Sequence, residues 1–331
     1  HCNAGCAQDA QASVDQTYWP EAIRQRVELR TGCRVREITT DAEGMATGAV
    51  YYDVDGVEHF QAASVVIVAC NGVGTPRLLL NSASPRFPDG LANSSGVVGK
   101  NLMLHPYASI LGYFDEVLDG YRGPHISVWS QEFYETDASR GFLRGYTFQC
   151  NRGMGPVMTS ISGMRTGHIP WGEGHHQAYR RMFDRVSSLV AICEDLPEEC
   201  NTVTLDPVLK DADGIPAPRL TYRLSDNSLR MMAHSVERAT EILRAAGARD
   251  VHTEWPMPWA GWHLMGTARM GRDPKTSVVN EWGRCHDVRN LFIVDGSIFV
   301  TSGGVNPTST IQALALYIAD NIKKRLDNLF D

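Results

Sequence analysis

The residues best suited to chemistry lie in the C-terminal quarter of the chain. Gly261-Trp262-His263-Leu264-Met265-Gly266-Thr267-Ala268-Arg269-Met270-Gly271 sets one imidazole beside glycine-rich turns, and Val294-Asp295-Gly296-Ser297 and Asn306-Pro307-Thr308 follow it. Oxidising an alcohol by hydride transfer requires the hydroxyl proton to leave with, or before, the hydride. A neutral imidazole near pH 7 is the natural acceptor of that proton. A carboxamide such as Asn306 can hold the same oxygen without competing for the proton. Asn306 also stands at the expected start of a helix, whose N–H groups and dipole favour the negative charge of a reduced ring. Each residue has a plainer reading beside this one. A lone histidine such as His263 is more often a packed structural ring, and Asp295 reads equally as a turn-capping acid, although strand ends such as Leu291–Val294 are ligand positions in open α/β sheets. Gly303-Gly304 permits either close approach to a planar ligand or a tight turn.

Other signals exclude chemistries. Gly72-Val73-Gly74 resembles a phosphate loop, but Arg77 stands where G-x-G-x-x-G requires its third glycine. No Walker loop or Gly-x-Ser-x-Gly elbow is present. His175 and His176 lack partners at metal-ligand spacing, so no metal is expected. Of eight cysteines, only Cys2 with Cys6 and Cys193 with Cys200 lie close together, and no second tight pair completes a zinc spacing. They read as ordinary thiols, with one disulfide in the amino-terminal loop as the alternative.

The elements that must position these residues are legible from periodicity. A helix is expected over 13–30, with Tyr18, Ala22, Val27 and Leu29 on one face. Arg34–Thr39, Ala46–Asp53 and Glu58–Gln61 read as strands, with Asp55-Gly56 marking a hairpin. The apolar run Val65–Cys70 reads as a strand buried on both faces, as in a parallel sheet. Thr75 reads as the N-cap and Pro76 as the first residue of a helix running on through Arg77–Ser82. Tyr107–Phe114, Phe142–Gln149 and Val186–Glu194 imply an antiparallel sheet with long loops. The Trp/His-rich stretch 168–176 reads as a pocket wall or as a solvated loop. Asn227–Ala246 is a helix by the spacing of Leu229, Met232, Val236, Ala239, Ile242 and Leu243, and Gly247 stops it. A last helix is capped by Asn306, with Ile311, Leu314, Ala315, Ile318 and Ile322 in one stripe and Lys323, Lys324 and Arg325 at its end.

The chain of 331 residues, 43% apolar and 21% charged, has material for two domains. A net charge of -7 without a basic stripe argues against nucleic acid as a partner. No apolar run reaches the about 20 residues of a membrane span. The first residue is His1, not Met, so a preceding segment is expected to have been removed or to lie outside this chain, and targeting is not legible from it. A soluble protein is expected, with the cytoplasm favoured as its location.

Several passages in order resemble the glucose–methanol–choline (GMC) family of flavoprotein oxidoreductases over nearly the whole chain. Ala69-Cys70-Asn71-Gly72-Val73-Gly74-Thr75-Pro76-Arg77-Leu78-Leu79-Leu80-Asn81-Ser82 is similar to the family's second signature. Val98-Gly99-Lys100-Asn101-Leu102-Met103-Leu104-His105-Pro106 is similar to its V-G-x-N-L-x-x-H passage, and Asn201–Pro207 with Asp211 and Gly214-Ile215-Pro216 to the opening of its C-terminal region. The resemblance implies an α/β (α+β overall) fold and FAD as cofactor. The flavin domain would form from 1–100 and 255–331, and a substrate domain on an antiparallel sheet from 101–254. It implies His263 and Asn306 as the catalytic pair, with flavin N5 as hydride acceptor. It places Val35 at the adenine, Asn71 and Gly72 beside the flavin domain, Asp295 and Gly296 at the ribityl–pyrophosphate region, and Pro307 and Thr308 at the isoalloxazine.

The family's first strand–G-x-G-x-x-G–helix unit has no counterpart here, so that unit is expected from a preceding segment or a second chain. The expected partners are an alcohol or sugar substrate and an electron acceptor such as oxygen, a quinone or a dye. Two alternatives stay open: a lyase of this fold that keeps FAD without redox chemistry, and a non-catalytic fragment or subunit.

Overall fold

The structure, a computed structural model, describes residue 10 and residues 12–258 and 260–329. Cys2 and Cys6, with the loop and disulfide considered for them, lie outside the described residues. The chain begins α1 (Val14–Arg24), β1 (Arg34–Thr40), β2 (Ala46–Tyr52), β3 (Glu58–Ala62), β4 (Val66–Val68), α2 (Asn71–Asn81). It continues β5 (Tyr107–Tyr113), β6 (Ile126–Ser130), β7 (Tyr146–Asn151), α3 (Pro156–Arg165), α4 (His175–Met182), β8 (Val186–Cys193). It ends β9 (Thr202–Lys210), β10 (Pro216–Thr221), α5 (Asp226–Ala245), β11 (Asp250–Glu254), β12 (Leu291–Ile293), α6 (Thr308–Lys324). These elements divide between two bodies. Of the described residues, one body holds those within Arg30–His105, Asp195–Ser225 and Gly261–Asp331, and the other those within His1–Leu29, Pro106–Glu194 and Asp226–Ala260.

In the body that holds His263, β1, β2 and β3 form an antiparallel meander, with the expected hairpin between β2 and β3. Its tight turn works because Gly56 accepts φ +74°, while Asp53 Oδ1 accepts the N–H groups of Asp55 and Val57 at 2.9 Å each. β4 pairs in parallel with β12, Leu291 opposite Val66. Burial on both faces is not what the structure shows. Val68 enters the core, but Ile67 is 54% exposed, because this sheet has two strands among the described residues and is covered on one side.

Helix α2 starts earlier than expected. Asn71 opens it at φ +67°, and its carboxamide oxygen accepts the N–H groups of Val73 (2.9 Å) and Gly74 (3.2 Å), so Asn71 and not Thr75 is the cap. Pro76 therefore lies inside the helix, where it cannot donate to the Gly72 carbonyl. The Thr267 hydroxyl takes that place, 2.8 Å from Gly72 O. Further along, Arg77 reaches the β9–β10 hairpin, donating to Pro216 O and Asp211 Oδ2, both at 2.7 Å. The core gathers Ile38, Val68, Leu79 and Leu91 with Val278, Val279, Leu291, Phe292, Ile298 and Ile318. Helix α6 forms as expected, but only Ile318 of its stripe is buried and no side chain caps it. Asn306 is turned elsewhere.

The other body is a five-stranded antiparallel sheet in the order β11-β5-β8-β7-β6. α5 lies on β5 and β8 through Ser228, Met231, Met232, Ser235, Ala239 and Leu243. The buried face is rotated from the expected one: Leu229 and Ile242 are exposed, and two small serines allow the close approach to the sheet. Gly247 at φ +97° stops α5 as expected. Helix α1 ends at Arg24, short of the expected 30, because Arg26 turns at φ +66° and Val27 N–H returns to Ala22 O. No described residue of α1 is buried. In the stretch 168–176, His168 stacks on Tyr113 with centroids 4.2 Å apart and Ile169 enters the core, while Trp171 is almost fully exposed. No helix among the described residues is long and apolar enough to cross a membrane.

Candidate active site

Backbone register brings the central pair together. Met103 and Met265 form an isolated antiparallel bridge, with N–H···O distances of 3.0 and 3.1 Å in the two directions. Two residues onward on one segment and two residues back on the other, His105 and His263 must oppose each other. Their Nδ1 atoms stand 2.6 Å apart, with the rings edge to face at 76°. The far nitrogen of His105, Nε2, lies 2.6 Å from the Gly303 carbonyl oxygen. The far nitrogen of His263, Nε2, lies 3.3 Å from Asn306 Nδ2.

Burial sets the charge of both rings. His105 is fully buried, and burial, then the neighbouring His263, push its imidazole down to about 4, against the opposing pull of the Gly303 carbonyl. His263 is half-buried and also held below its ordinary value by burial. Both are neutral at pH 7. His263 occupies φ +61°, a left-handed backbone that costs a non-glycine residue of order 1–3 kcal/mol and that recurs at functional sites.

Glycines make this backbone possible. A Cβ on Gly72 would stand 2.6 Å from the Leu264 carbonyl carbon, and one on Gly296 would stand 2.8 Å from the Leu264 oxygen. The segment following His263 is thus pinched between α2 and the turn after β12. Asp295 locks the same corner. Its Oδ2 accepts Thr75 Oγ1 at 2.5 Å and Asn71 N–H at 3.1 Å, and its Oδ1 accepts Ser297 N–H at 2.8 Å. Behind His105, the buried Asp195 carboxylate accepts Leu104 N–H (3.2 Å) and Tyr222 O–H (2.7 Å). Asp195 N–H in turn donates to Ser302 Oγ at 2.8 Å. Asp195 so holds the neighbours of both His105 and Gly303.

The six expected residues Asn71, Gly72, His263, Asp295, Gly296 and Asn306 therefore meet in one region, with Pro307 and Thr308 directly after Asn306. Val35 is not brought there. It is exposed on β1, beside the C-terminal end of α2, where Asn81 Nδ2 donates to Arg36 O. The structure adds His105, Thr75, Thr267 and Asp195, which sequence reasoning did not single out as site residues. Among the described residues no group of three or more His, Cys, Asp or Glu is arranged to hold a metal, and Cys33, Cys70, Cys150, Cys200 and Cys285 are free thiols.

Sequence models of the GMC oxidoreductase family match residues 1–107 and 197–315, in the order of that family's N-terminal and C-terminal parts. The chain belongs to the GMC oxidoreductase family. It is 44% identical over 324 residues to 2-methyl-1,2-propanediol dehydrogenase of Mycolicibacterium austroafricanum, covering 95% of this chain and 58% of that relative. It is 32% identical over 288 residues to the fructose dehydrogenase large subunit of Gluconobacter japonicus, covering 87% and 52%. The chain thus spans between half and three-fifths of these relatives. In fold it is similar to pyridoxine 4-oxidase from Mesorbium loti, with a TM-score of 0.62, 16% identity, and coverage of 94% of this chain and 62% of that one. That agrees with the mixed α/β architecture expected from the sequence.

FAD is the cofactor of GMC oxidoreductases, and the His263 body fits one end of it. Residues Thr308, Ser309 and Thr310 open α6 exposed and uncapped, so their N–H groups are available to an electron-rich ring. Ser297 Oγ, next to Gly296, is buried without a hydrogen-bond partner. The start of α2 differs, because Asn71 already engages the first N–H groups there and Gly72 faces protein backbone.

Proposed function

We propose that this chain forms the chemistry-bearing part of an FAD-dependent enzyme that oxidises the CH–OH group of an alcohol, sugar or polyol. The observation that carries the reading is the pairing of a neutral His263 imidazole with the Asn306 carboxamide, 3.3 Å apart, just before the uncapped start of α6. A substrate hydroxyl set alongside the pair, within reach of both nitrogens, gives its proton to His263 Nε2, while the Asn306 N–H group holds the oxygen as charge develops on it. FAD, when bound, supplies the hydride acceptor. Thr308 and the following N–H groups favour negative charge at the ring, with Pro307 fixing the turn beside it. Asn71, Gly72, Asp295 and Gly296 form the wall that keeps His263 in place, and Val35, at the far end of α2, serves the adenine. We assign the G-x-G-x-x-G unit to polypeptide outside these residues, since Arg77 occupies the third glycine position and is committed to the β9–β10 hairpin. In this reading the His263 body carries the flavin and the five-stranded sheet body the substrate, with oxygen, a quinone or a dye as electron acceptor.

Among substrates, small vicinal diols come first, because the 44% identical relative is named for 2-methyl-1,2-propanediol. In the flavin-loaded protein, such a diol or a sugar should bleach the flavin under anaerobic conditions, which a lyase of the same fold does not do. His263→Ala should slow that bleaching by at least about 10²-fold, the scale of a lost general base. An unchanged rate would remove His263 from the role.

A further inference from the structure

The hydrogen-bond geometry of the two histidines determines where their protons are. A carbonyl oxygen only accepts, so the 2.6 Å contact of His105 Nε2 with Gly303 O places a proton on that nitrogen. A neutral imidazole carries one ring proton, which leaves His105 Nδ1 as a lone pair. The 2.6 Å contact between the two Nδ1 atoms needs one proton between them, and it must then belong to His263. His263, neutral as well, is left with its lone pair on Nε2, the nitrogen on the Asn306 side. We propose that His105 is a positioning residue whose Nδ1, oriented by the Gly303 carbonyl, fixes His263 in the tautomer that presents Nε2 as the base.

The inference deepens the reading of His263 as proton acceptor and rests on it for its catalytic consequence, but the tautomer itself is a property of this chain. The arrangement is over-determined. The Met103–Met265 bridge sets the rings opposite each other, and Asp195 restrains both Leu104 and Ser302, the residues preceding His105 and Gly303. A histidine without such a partner favours the opposite tautomer in water, with the proton on Nε2, and that form has no lone pair to offer a substrate hydroxyl. When the hydroxyl proton arrives at Nε2, His263 becomes an imidazolium, and its Nδ1–H···Nδ1 bond to His105 becomes charge-assisted. One side chain thus selects the base form and steadies the acid form. A purely packing role for His105 would require neither.

The test reads the protons directly. The chain has 11 histidines, so selective 15N labelling of their rings, with His263 assigned from the signals lost in His263→Gln, gives a tractable spectrum of the whole protein. At neutral pH the wild type should show His263 protonated at Nδ1 with a bare Nε2. His105→Ala should move most of the population to the Nε2–H form. His105→Asn should keep the Nδ1–H form, because the amide oxygen can stand where His105 Nδ1 accepts. In the flavin-loaded protein, the rate of substrate-driven flavin reduction should fall at least about tenfold in the alanine variant and recover in the asparagine variant. A wild-type His263 protonated at Nε2 overturns the proposal, even if His105→Ala fails to fold. So does an unchanged tautomer in a folded His105→Ala. A wild-type Nδ1–H form together with undiminished flavin reduction in His263→Ala would instead leave the tautomer standing and reject His263 as the base.

Discussion

A ring as buried as His105 titrates differently in the folded and unfolded chain, and this makes a residue-scale property visible in stability. Unfolded, it binds a proton near 6.5, whereas folded it resists until about 4. Because the folded value is depressed, its contribution is fully present above pH 6.5 and is lost as pH falls toward 4. At about 1.4 kcal/mol per unit, the loss across that window is about 3 kcal/mol. Urea midpoints measured from pH 7 to pH 4 should therefore fall more steeply in the wild type than in His105→Asn, and parallel curves would contradict the buried, neutral ring. The same residue shows why the site was half legible in sequence. His263 and Asn306 announce themselves by type and by their glycine and helix-start surroundings. His105 lies 158 residues from His263, and nothing local in Leu104-His105-Pro106 indicates that a bridge between Met103 and Met265 will align the two rings.

At the scale of elements, the start of α2 shows how a correct local rule can be overruled. Proline belongs in a first turn, so Thr75-Pro76 reads as a helix start, yet the helix tolerates Pro76 because a distant hydroxyl serves the carbonyl that proline abandons. The consequence is measurable. Thr267→Val keeps the shape but leaves Gly72 O buried and unpaired, and should cost about 1–3 kcal/mol in chemical denaturation. Pro76→Ala restores an N–H at the missing position, so the double variant should recover much of that loss. Additive losses would mean that the threonine acts through something other than this carbonyl. α5 shows the complementary failure, since its helical period is plain but its buried face depends on which side can sit close to a sheet. Ser228 and Ser235 win that place over the more apolar Leu229 and Ile242. The β1–β3 meander needed no such context: its hairpin is closed by Asp53 and Gly56 at its own tip.

For the molecule as a whole, the two family matches and the two bodies divide the chain differently. The match to residues 1–107 ends near the close of the segment 30–105, but that segment is not a self-sufficient part of the His263 body. Its strand β4 finds its partner in β12, and Asn290 closes the gap by pairing with both the N–H and the C=O of Ala46. Its core residues Ile38, Val68, Leu79 and Leu91 pack into a cluster completed by Val278, Leu291, Phe292, Ile298 and Ile318. Contacts of such long sequence separation cannot form until the loop between them is closed, so folding should be late and all-or-none across the segments. A fragment of residues 30–105 expressed alone should therefore show no cooperative urea transition, keeping at most its locally closed β1–β3 meander. Adding a fragment that spans 195–331 should restore a transition and the dispersed amide spectrum of a packed core. A sharp transition in the isolated 30–105 fragment would refute this dependence and would make the first family match a folding unit in its own right.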